Sequence, residues 1–237
     1  RSSALSASHI DGGYTASGDA SGNTVTLSGG SATDLHGGHT ESGNATGNTV
    51  TISGGTVTGT AAGGYTASGN ATSNTANLTG SPVLTNAVLY GGFSAAAGND
   101  VTTGNTLNVY RTGLSAGNIA NFGNLNFYLP ADITSGTNVL TLTRNADTDL
   151  TNTRITAYLE GDANLTNGDT INLIHRTGTG SLITTGMSTN VTAYEGVTLT
   201  HRGTIAAAGS DLVLTVTGTS STLPEQTKSL TETRAGG

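Results

Sequence analysis

This 237-residue sequence predicts an all-β fold, a right-handed parallel β-helix, and three observations predict it. A glycine-rich string at residues 12–30, "GGYTASGDASGNTVTLSGG", returns at 37–55 as "GGHTESGNATGNTVTISGG". Inside each copy apolar residues alternate with threonine or asparagine, the period of a strand with one buried face. Each copy is also too short and too polar to bury that face alone, whereas copies stacked in register share one core. The competing expectation is disorder, since 36 glycines, 10% charged residues and 4% aromatics suit a chain that cannot offset its ordering entropy. A fixed period with conserved alternation argues for the solenoid.

The first element, residues 1–124, is a run of coils of about 25–28 residues. Gly-Gly pairs begin at Gly12, Gly37, Gly63 and Gly91, and the asparagine opening each strand string recurs at Asn23, Asn48, Asn74 and Asn105. The fourth copy carries three extra residues, as a loop insertion would. Aligned this way, Ile10, Leu35, Ala61 and Leu89 form one column, and Tyr14, His39, Tyr65 and Phe93 another. Val25 and Leu27 align with Val50 and Ile52, Ala76 and Leu78, then Leu107 and Val109. The inside is therefore expected to be columns of aliphatic residues and the outside ladders of threonine and asparagine, with glycines at corners.

The second element, residues 125–220, loses the glycine register, and charge rises beyond residue 124, where ten of the fifteen acids and six of the eight basic residues lie. Alternation continues in strands expected at 125–130, 138–144, 153–159, 169–176, 196–203 and 210–218. Longer, more apolar strands of atypical sequence are what a solenoid needs to close the end of its core. The last element, 221–237, reads as the start of a short linker helix, with Pro224 at its first turn and Glu225 following. About nine coils at the usual strand spacing make a rod about 45 Å long.

Composition narrows the function classes. Without cysteine, neither a disulfide framework nor a thiolate metal site is available. A net charge of -7 and eight basic residues exclude a phosphate-backbone binder, so no nucleic-acid partner is expected. No apolar run has the length of a membrane helix. The opening "RSSALSASHIDGG" reads as the cut edge of a longer protein.

Three segments resemble the C-terminal part of a bacterial autotransporter passenger, the secreted region of type V secretion proteins. The "GGYTASG…GNTVTLSGG" coils are similar to passenger β-helices. The stretch "NVLTLTRNADTDLTNTRITAYLEGDANLTNGDTINLIHRTG", with its "LTNGDTINLI" strand entry, resembles the junction or autochaperone region that caps pertactin-like helices. "LPEQTKSLTETR" is similar to the linker into the outer-membrane β-barrel. The resemblance implies a non-enzymatic stalk exposed on a Gram-negative cell surface, anchored through a barrel of the same parent chain, and acting as a folding template during secretion of an adhesin. Two further partners are expected, a second copy of the chain or host surface ligands. The Thr/Asn ladders offer a self-associating or fibre-forming surface as the alternative, and a scaffold for an upstream secreted enzyme is a third.

Candidate chemistry in the chain itself is sparse. In the column alignment Asp11, Asp19, Asp34, Glu41 and Asp100 fall in different columns, so no carboxylate cluster is expected for lyase or hydrolase work. Asp147 and Asp149 read as turn residues. His36 and His39 flank a glycine corner, but a metal site needs three or four ligands, and the neighbours of His39 in its column supply none. His39 is expected to continue an aromatic stack. His175 and His201, each followed by arginine, read as solvated strand ends. Ser28 and Ser53 sit in repeated coils without a base or orienting acid. No catalytic, cofactor-binding or metal-binding residue, and no cofactor, is expected.

Overall fold

The computed structural model describes residues 6–160, 163–194 and 199–221. Every regular element among them is a β-strand, and the chain winds as a parallel β-helix with three walls. The longest wall stacks Ser6–Asp11, Ser31–Thr40, Thr56–Thr66, Leu84–Ser94, Leu114–Ala120, Asn138–Leu142 and Thr170–Arg176, all parallel. A second wall, a 7-stranded sheet, stacks Thr24–Leu27, Thr49–Ile52, Thr75–Leu78, Thr106–Val109, Asn124–Leu129, Arg154–Glu160 and Ser188–Tyr194. The third wall is made of two-residue strands: Ala20–Ser21, Ala45–Thr46 and Ala71–Thr72, then Thr148–Asp149 and Leu182–Ile183.

The columns expected from the repeat are the columns observed. Ile10 pairs with Leu35, Leu35 with Ala61 and Ala61 with Leu89. On the second wall Val25, Val50, Ala76, Leu107, Leu125 and Ile155 share one column by successive pairing. From Val50 onward its members are at most 2% exposed, so the column is the core itself. Burial of this aliphatic spine is the main force holding level on level. The outward face of the same strands carries Thr51, Asn77, Asn108 and Asn126, where each asparagine donates its amide to the level before it, at 2.8–3.3 Å.

The repeated "GG…N" pattern is a single device. Asn48, Asn74 and Asn105 point inward at the corner and are fully buried. Asn48 Oδ1 accepts the Asn23 N–H (2.9 Å), Asn74 Oδ1 the Asn48 N–H (2.9 Å) and Asn105 Oδ1 the Asn74 N–H (2.8 Å). Each Nδ2 also donates to a third-wall carbonyl: Ala20, Ala45 and Ala71 respectively, all at 2.9 Å. The ladder thus satisfies backbone groups that the turn leaves unpaired inside the protein. Its amides lie against the Gly-Gly strand, and a Cβ on Gly38 would come within 2.7 Å of Asn48 Nδ2 and closer to Oδ1. Gly38→Ala is therefore expected to cost about 1–3 kcal/mol by overpacking, read as a lower denaturation midpoint.

One expectation needs correcting. Among the described residues the parallel stack contains seven levels where about nine were expected, about 34 Å of rod at the usual strand spacing. The second wall runs on past residue 124, with Leu107 and Leu125 paired in register. The repeat disappears from the sequence there for a geometric reason. Second-wall partners are separated by 25, 26 and 31 residues in the first levels, but Asn108 and Asn126 by only 18. That coil skips the third wall, turning back at Asn121 in the left-handed region (φ 61°), whose Nδ2 donates to the Gly92 carbonyl at 2.9 Å.

A hairpin covers one end of the core. Leu199–Ala208 and Asp211–Ser221 form an antiparallel hairpin, and its second strand pairs antiparallel with Thr170–Arg176. Ile205, Leu212, Leu214 and Val216 bring the hairpin's buried face onto the core. The helix expected at 221–237 lies, from residue 222 on, outside the described residues.

Candidate functional site

The corner between the first two levels departs from the repeat. The long wall places Asp11 against His36 and His9 against Asp34, one level apart, and Tyr14 against His39. At the next level the partners of Asp34, His36 and His39 become Thr60, Ala62 and Tyr65. Stacking alone therefore does not demand ionisable side chains at these positions. The Gly37–Gly38 kink brings His36 and His39 round to the same side, ring centroids 5.4 Å apart and nearly perpendicular.

Asp11 joins the two rings. Its Oδ1 lies 2.9 Å from His36 Nδ1 and its Oδ2 lies 3.2 Å from His39 Nδ1. Burial pushes the Asp11 carboxyl up, but hydrogen bonds and charge from both imidazoles outweigh it and hold the group below the ordinary carboxylate range. His9 closes the third side, its ring 5.0 Å from His36 and 6.0 Å from His39. The donor atoms of His9, Asp11, His36 and His39 all lie within 4.8 Å of one another. Glu41 Oε1 stands 3.3 Å from His39 Nε2, and Asp34 Oδ2 stands 3.6 Å from His9 Nδ1. His39 Nε2 is buried and not aligned for a hydrogen bond with any described residue. His36 is 2% exposed and His39 9%, whereas the His9 side chain is 47% exposed at the mouth of a depression of about 330 Å³. Among the described residues, these four form a group whose ligand atoms are close enough to hold a metal ion.

The aromatic column foreseen for His39 is present. Its ring meets Tyr14 and Tyr65 edge-on at 5.0 and 4.6 Å, and Tyr65 stacks on Phe93 at 5.3 Å. The same column argument, followed only through His39, missed Asp11 and His9. The signal that finds them is one position further along the wall: the alignment that sets Ile10 against Leu35 sets Asp11 against His36.

The other singled-out residues are engaged in structure. Asp19 and Asp100, expected in different columns, share one with Asn44 and Asn70. Each Oδ1 of Asp19, Asn44 and Asn70 accepts the backbone N–H of the next member at 2.8–3.0 Å. The extra residues of the fourth copy displaced Asp100 from that column in the linear alignment. Asp147 accepts the Ser181 N–H and Asp149 the Thr151 N–H, both at 2.8 Å. His175 Nδ1 lies 2.9 Å from Asp211 Oδ2. His201, expected on a solvated strand end, lies on the first strand of the hairpin and is 3% exposed. Its neighbour in kind, Arg176, is also buried; it donates to Thr148 Oγ1 and, at 2.6 Å, to the Ala146 carbonyl. Burial pushes the Arg176 guanidinium down from its usual value, opposed by Asp147 and Asp211.

Comparison with protein-family models, curated proteins and solved structures finds no match.

Proposed function

We propose that this chain is a non-enzymatic stalk, the surface-exposed segment of an autotransporter-type passenger, whose C-terminal end serves as the folding template for the coils before it. The observation that carries this reading is the hairpin of 199–221, seated antiparallel on the last long-wall strand of a parallel stack. A core open at one end templates another level, whereas an end covered by an antiparallel strand stops growth in that direction. Coils can then add on the other side as the chain emerges. The cysteine-free sequence suits export as an unfolded chain. The Thr/Asn ladders give less support to an adhesive role, since much of their hydrogen bonding runs within the ladder.

The test joins the chain to an autotransporter barrel in a Gram-negative cell and reads protease access on intact cells. Leu214→Asp, in the hairpin, is expected to prevent surface arrival, while Val50→Asp, equally buried in an early level, permits it. Equal effects of the two would remove the templating role. A native chain that stays in the periplasm would remove the surface role.

A further inference from the structure

We propose that His9, Asp11, His36 and His39 form a binding site for a divalent transition-metal ion of the zinc class, clamping the first level of the solenoid to the second. The donor set is three imidazoles and one carboxylate, which suits zinc and its first-row neighbours and not the all-oxygen preference of calcium or magnesium. The spacing fits as well. With bonds of 2.0–2.1 Å, a tetrahedral zinc ion holds its ligand atoms about 3.3 Å apart. The Asp11 carboxylate already lies 2.9 Å through Oδ1 from His36 Nδ1 and 3.2 Å through Oδ2 from His39 Nδ1, so whichever oxygen binds, one edge of that tetrahedron is preformed. His9 approaches from the open side, where its exposed ring turns inward without disturbing the core.

Two further features support a ligand. Glu41 behind His39 and Asp34 beside His9 are placed as the carboxylates that orient metal-bound imidazoles. His39 Nε2, buried and without an aligned hydrogen bond among the described residues, is the donor that a metal on Nδ1 would turn toward Glu41. The cluster is also confined to the first two levels, where the third level places Ala62 and Tyr65 at the positions of His36 and His39. A staple there holds the outermost level, which has a described neighbour on one side only.

The experiment is calorimetric titration of the tag-free full chain with zinc chloride, alongside cobalt(II) as a visible reporter. One equivalent of zinc per chain is expected, with the intense d–d absorption of four-coordinate cobalt at the same stoichiometry. His9→Ala should weaken binding at least tenfold without unfolding the protein, and Glu41→Gln by about tenfold through its hold on His39. His175→Ala, at the opposite end, should leave binding unchanged. Absence of a stoichiometric zinc site, or a site untouched by His9→Ala and His36→Gln alike, overturns the proposal. A six-coordinate cobalt spectrum overturns the four-ligand assignment.

Discussion

Asn74→Ala is expected to lower the unfolding free energy by about 2–5 kcal/mol, one of the largest losses any single truncation in this chain will produce. The side chain removed makes four hydrogen bonds in a fully buried corner. Its Oδ1 accepts the Asn48 N–H and Asn48 Nδ2, and its Nδ2 donates to the Ala45 carbonyl and Asn105 Oδ1. Alanine leaves the Asn48 N–H and the Ala45 carbonyl without their partners where water does not reach, and each orphan costs about 1–3 kcal/mol. Asn77→Ala, three residues on, is the matched comparison. Asn77 belongs to the outward ladder, at partly exposed positions where solvent replaces what is lost, and the expected cost is below about 1 kcal/mol. Urea denaturation of the two variants decides the matter. Similar midpoints would mean that the inward ladder is not what holds the corner.

Leu214→Asp is expected to detach the terminal hairpin and turn a monomer into a self-associating chain. Leu214 is fully buried and pairs with Ile171 on the last long-wall strand. An unpaired carboxylate at that position costs several kcal/mol, more than one hairpin strand's hold on its neighbour returns. Release uncovers the hydrogen-bonding edge of Thr170–Arg176 together with the buried side chains Ile171 and Ile174. Unprotected edges of this kind pair with one another. Light scattering across a concentration series is expected to give a native mass fixed near 23.4 kDa and a variant mass that climbs with concentration. A native protein that itself grows into filaments would move the assembly surface onto the ladders. A variant that stays monomeric with its hairpin amides protected from exchange would show that the hairpin is held elsewhere.

The first four levels were legible because glycine, asparagine and aliphatic residues recur at fixed offsets, and each offset reflects one geometric need. The inward asparagine was visible as a repeat, but its chemistry was not, since a sequence does not tell an inward amide from an outward one. Strands at 154–160 and 170–176 were found by alternation, whereas Leu114–Ala120 and Ser188–Tyr194 were missed. In "LSAGNIA" small and polar residues occupy buried positions beneath neighbouring levels, so alternation fails although burial is nearly continuous. The candidate site was half legible. His36 and His39 stood out as a pair, while Asp11 and His9 lie a full turn upstream and become neighbours only once the wall is stacked. His201 was misread because an isolated histidine followed by arginine gives no sign of which face of its strand is buried.

The unequal walls have a consequence for how such a protein changes over generations. Long-wall and second-wall strands keep their pairing while the residues between successive levels vary from 18 to 34. Length is absorbed between the walls: the 105–124 coil omits the third wall, and the turn from second wall to long wall grows from three residues at 28–30 to eight at 130–137. Loops at that second turn can therefore be lengthened, trimmed or exchanged without touching the third-wall carbonyls that hold the inward asparagines. It is the natural port for grafting foreign epitopes onto the rod.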